Sequence, residues 1–116
     1  MELTLPIYHF FANCMAVEHE EPKKCRAGAP YSGSLDTDPQ RGFINATTFC
    51  YRVLLKKCVD GAKVFVTECW IRPPYSPGRT EYVESHEEKI FDGVEESLPL
   101  MEEWLRAKYN ELTASR

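Results

Sequence analysis

The chain reads as an α+β fold, an antiparallel sheet packed by helices, and three stretches predict it. Two runs rich in aromatic and β-branched residues, Phe49 to Leu55 and Val64 to Ile71, stand either side of Val59-Asp60-Gly61, a hairpin pattern. Thr80 to Phe91 returns to strand-forming residues, Tyr82, Val83, Ile90 and Phe91, around a charged middle. Ser97 to Leu112 repeats apolar residues at helical spacing. With 116 residues the chain is expected to form a single domain over 1–116, long enough to bury a core without disulfide or metal staples.

Taken in order, Ile7, Phe10, Phe11, Cys14 and Met15 recur at helical spacing, with Pro6 where a first turn tolerates a missing N–H. A helix from Thr4 to about His19 is the reading, with an N-terminal strand as its rival because Leu3, Leu5 and Ile7 also alternate. Residues 20–42 carry Pro22, Gly28, Pro30, Gly33 and Pro39 without a sustained period and read as one long loop. The hairpin spans Phe43 to Ile71. A three-residue loop with Gly61 left-handed sets Leu55 opposite Phe65, Val53 opposite Thr67, Tyr51 opposite Cys69 and Phe49 opposite Ile71, which keeps one face largely apolar. A two-residue loop would mix the faces. The Pro-rich segment 72–79 interrupts the sheet, and Thr80 to Phe91 is expected to return as a solvent-facing strand antiparallel to the second hairpin strand. In the last element Leu98, Met101, Leu105, Tyr109 and Leu112 form one stripe with Trp104 at its edge, so the helix is expected to cover the apolar face of the hairpin.

Composition narrows the function classes. No stretch is apolar enough to span a membrane, and Glu2, Pro6, His9 and Asn13 break any signal-peptide pattern, so a cytoplasmic protein is expected. Five cysteines at irregular spacing fit reduced thiols. No CxxC pair, nucleophile elbow, zinc-protease helix or glycine-rich phosphate loop occurs, and Arg41 stands where a calcium loop begun at Asp36 would need glycine. No catalytic residue, metal site or cofactor is therefore expected. Cys50, Cys58 and Cys69 lie on strand-like runs, where a small buried hydrophobe is the commonest role.

The charge pattern carries the functional expectation. The net charge is −4, yet residues 23–79 hold ten basic against four acidic residues, and residues 80–103 hold nine acids against Lys89. The first reading is a non-enzymatic regulator or inhibitor that docks an acidic face on a basic, nucleic-acid-handling protein in the manner of a DNA mimic. Its contact residues are Glu84, Glu87, Glu88, Asp92, Glu95 and Glu96. The alternative is single-stranded nucleic-acid binding through Arg52, Lys56, Lys57, Lys63, Arg72 and Arg79, interleaved with Tyr51, Trp70 and Tyr75. A homo-oligomer formed through an open strand edge is compatible with either.

Overall fold

A computed structural model of the protein describes residues 3–36, 48–72 and 84–113. Helix α1 (Tyr8–Asn13) is followed by the short strand β1 (Ala16–Val17), a 3-10 turn at Pro22–Lys24, strands β2 (Tyr31–Asp36), β3 (Thr48–Lys57), β4 (Lys63–Arg72) and β5 (Glu84–Asp92), and helix α2 (Ser97–Thr113). The five strands form one sheet in the order β1-β3-β4-β5, with β2 also on β3; only β1 runs parallel to its neighbour. The α+β fold is therefore present, with a mostly antiparallel sheet and a helix at each end of the chain.

The hairpin adopts the register that keeps its apolar face whole. Leu55 pairs with Phe65, Val53 with Thr67, Tyr51 with Cys69 and Phe49 with Ile71. Cys58 N–H donates to Ala62 and Gly61 N–H to Cys58, leaving a three-residue turn in which Gly61 has φ 91°. That φ is one that residues with a side chain rarely adopt, so glycine is the natural occupant. All eight paired side chains are buried. Met101 and Leu105 of α2 press onto them, and Phe11 of α1 stacks edge-on against Phe65. Both α-helices thus lie on one face of the sheet.

Two expectations are corrected. The N-terminal helix is only six residues long, because the chain leaves it at Cys14 to pair Ala16 and Val17 with Lys56 and Lys57. Residues 3–5 lie against α2, where Leu5 N–H donates to Glu102 and Arg106 donates to the Leu3 carbonyl. The stretch 20–42 is not one loop, since β2 pairs with β3 from Tyr31 opposite Val53 to Asp36 opposite Thr48. Its Ser-Gly-Ser centre has little strand propensity of its own. Tertiary contact supplies the reason: a Cβ on Gly33 would collide with the Tyr51 ring, so the bare backbone lets that ring lie against the strand. The third expected strand is present as β5, antiparallel to β4; residues 43–47 and 80–83, within the expected hairpin and third strand, lie outside the described residues.

Candidate functional site

Alternation along the strands gives the sheet a second face, and neither α-helix touches it. Its side chains fall in cross-strand rows fixed by the register. Lys56, Val64 and Asp92 form one row, Leu54, Val66 and Ile90 the next, and Arg52, Glu68 and Glu88 the third. Beyond them Cys50 pairs with Trp70, whose ring stacks on His86 at 6.1 Å. Ile90 is half exposed.

Glu68 is the hub of this face. Arg52 Nη2 donates to both its carboxylate oxygens at 3.1 Å, and His86 Nε2 lies 3.0 Å from Oε2. The Arg52 guanidinium also sits 5.7 Å from the Trp70 ring centre, a cation–π distance. Burial alone would raise the Glu68 carboxyl, but the hydrogen bonds and charges of His86 and Arg52 outweigh it and hold the group below its ordinary value. Glu88 stands directly opposite Glu68 across the ladder, a like-charge neighbour.

The residues expected to face a partner separate by strand parity. Glu87 points to the helix side, where Lys108 donates to it at 2.8 Å; hydrogen bonds to Glu87 and then Glu111 raise the Lys108 ammonium. Glu88 and Asp92 occupy the helix-free face, and Glu95 and Glu96 lie in the connection to α2; all four are exposed and make no ion pair among the described residues. The side chain of Glu84 lies outside the described residues.

Among the cations, Arg52 is committed to Glu68 and Lys56 to Glu18 at 2.8 Å. The hydrogen bond to Glu18 raises the Lys56 ammonium above its ordinary value. Lys57 and Lys63 are exposed and opposite one another beside the turn. Arg79 and the side chain of Arg72 lie outside the described residues, as does Tyr75. Tyr51 is buried in the core, so it presents no stacking surface. Glu68 and His86 entered no expected site, although the predicted register already placed Arg52 opposite Glu68.

Among the described residues no group of three or more His, Cys, Asp or Glu side chains is arranged to hold a metal ion. Cys69 is fully buried, and burial pushes its thiol up to about 12, far from the range of a nucleophilic thiolate. No helix among the described residues is long and apolar enough to cross a membrane. No family model, no curated protein and no solved structure matches the chain.

Proposed function

We propose that this chain is a non-catalytic binding protein, a regulator or inhibitor, whose acidic end docks on a basic surface of a nucleic-acid-handling partner. The contact set narrows to Glu88, Asp92, Glu95 and Glu96. One observation carries the reading: these four carboxylates are exposed and without an ion pair among the described residues, while Arg52, Lys56 and Lys108 each meet a carboxylate of the same chain. Free carboxylates in one region project a field that attracts a basic surface and weakens with salt. The committed cations speak against the single-strand reading, because a paired guanidinium or ammonium releases fewer counterions on meeting phosphate.

The test is affinity capture from nuclease-treated lysate of the native cell, at low and moderate salt, with wild type beside a variant carrying Glu88→Lys, Asp92→Lys, Glu95→Lys and Glu96→Lys. The expected result is a basic protein that survives nuclease, weakens with salt and is lost with the variant. A folded variant that retains every partner overturns the reading. Capture that nuclease abolishes moves the function to nucleic-acid binding.

A further inference from the structure

The helix-free face of the sheet has a charge pattern that complements itself. Strand β3 presents Arg52, Leu54 and Lys56; strand β5 presents Glu88, Ile90 and Asp92 in the same rows; β4 lies between them with Val64, Val66 and Glu68. One flank is basic, the other acidic, and the row between is apolar. A two-fold axis in the plane of the face and along β4 carries β3 of one copy onto β5 of the other while leaving every row at its own height. Arg52 then meets Glu88 of the second copy, Lys56 meets Asp92, Leu54 meets Ile90, and Val66 meets Val66.

We propose that two copies of this chain pack face to face through this side of the sheet, with Arg52 and Lys56 of each against Glu88 and Asp92 of the other. The contact is isologous, as a two-fold dimer requires. An axis inclined by about 15° to β4 gives the usual angle between aligned sheets of roughly 30°. Arg52 and Lys56 keep their own partners Glu68 and Glu18 and share their charge with Glu88 and Asp92 of the second copy, which have no ion pair among the described residues. The gain per contact is therefore small, and Glu88 gains most because its own chain sets Glu68 opposite it. Glu68 meets its own copy near the axis, but each is already held by Arg52 and His86, with its side chain only 16% exposed. Ile90, half exposed, loses its water. Three strands offer roughly 400–500 Å² on each copy, the range of weak and transient contacts, so the dimer forms at high concentration.

This contact shares Glu88 and Asp92 with the acidic-end reading but is tested apart from it. Glu95 and Glu96 lie beyond the strands, and self-association is read on the purified chain alone, where no other partner is present. The experiment is sedimentation velocity of the full chain from about 5 to 500 µM at low salt, a range suited to a contact of this size. Wild type is expected to move from 13.4 kDa toward twice that mass. Arg52→Glu and Glu88→Arg are each expected to weaken self-association about tenfold or more, because each sets like charges together twice. An equimolar mixture of the two restores it, since positions 52 and 88 again face each other with opposite sign at both contacts. Circular dichroism checks folding; if Arg52→Glu does not fold, Lys56→Glu mixed with Asp92→Lys makes the same exchange. A wild type that stays monomeric throughout overturns the proposal. So does a dimer that the single variants leave intact, or a mixture of folded variants that does not reassociate.

Discussion

Glu68 shows how one side chain can organise a surface without being exposed on it. Its carboxylate accepts from Arg52 and pairs with His86, and the Trp70 ring lies against both partners. Because the folded carboxyl is held below its ordinary value of 4.5, its contribution to stability is complete above that value and is lost as pH falls through the lower folded one. Glu68→Gln is therefore expected to cost about 1–2 kcal/mol at neutral pH, toward the low end because Arg52 and His86 are themselves half exposed. The difference from wild type should shrink as pH falls below 4.5. Urea unfolding of both proteins across that range measures it. A cost that stayed constant down to acid would mean that Glu68 contributes by packing and not by charge.

At the scale of elements, the hairpin and α2 were legible because each carries its own instructions. Period-two alternation and a glycine in the turn fix β3 and β4, and a stripe of Leu98, Met101, Leu105, Tyr109 and Leu112 fixes the covered face of α2. Both Met101 and Leu105 are fully buried. Leu105→Ala is expected to lower the unfolding free energy by about 2–5 kcal/mol with the urea slope unchanged, since it empties space between helix and sheet that the backbone cannot close. A loss below 1 kcal/mol would show that α2 can settle onto the sheet. Strands β1 and β2 were not legible, because their ladder bonds come from β3 and their own residues do not ask for a strand: Tyr31 to Asp36 contains two serines and a glycine. The same rule governs the binding face. Arg52 opposite Glu68 follows from the hairpin register, whereas Glu87 turning to Lys108 depends on a helix 21 residues away and on the parity of a strand whose start the sequence does not mark.

Over the whole molecule, the fold undoes much of the charge segregation written along the chain. Residues 1–22, with four acids and no Lys or Arg, meet the basic hairpin through Glu18 and Lys56. The acidic block after residue 80 meets residues 104–116, which hold three basic residues against Glu111, through Glu87 and Lys108. Among the described residues, Lys57 and Lys63 stay unpaired beside the turn, and Glu88, Asp92, Glu95 and Glu96 stay unpaired at β5 and its exit, which is where both proposed contacts fall. These long-range pairs and the shared core predict that the helices and the sheet unfold as one cooperative unit. The two tryptophans can test that, because they lie on opposite sides of the sheet: Trp104 packs on Phe91 from the helix side, while Trp70 stacks with His86 on the other. Trp70→Phe leaves fluorescence that reports the helix layer, and Trp104→Phe leaves fluorescence that reports the helix-free face. Since Phe49, Phe65, Cys69 and Ile71 join both hairpin strands to α2 in one buried cluster, neither layer keeps its apolar surface covered once the other has gone. In each variant, fluorescence and far-ultraviolet circular dichroism are expected to follow the same urea transition at low micromolar concentration. A helix-layer signal that is lost well before the dichroism of the sheet would mean that α2 unfolds on its own and that the sheet's hydrogen bonds, more than the common core, hold β3, β4 and β5 together.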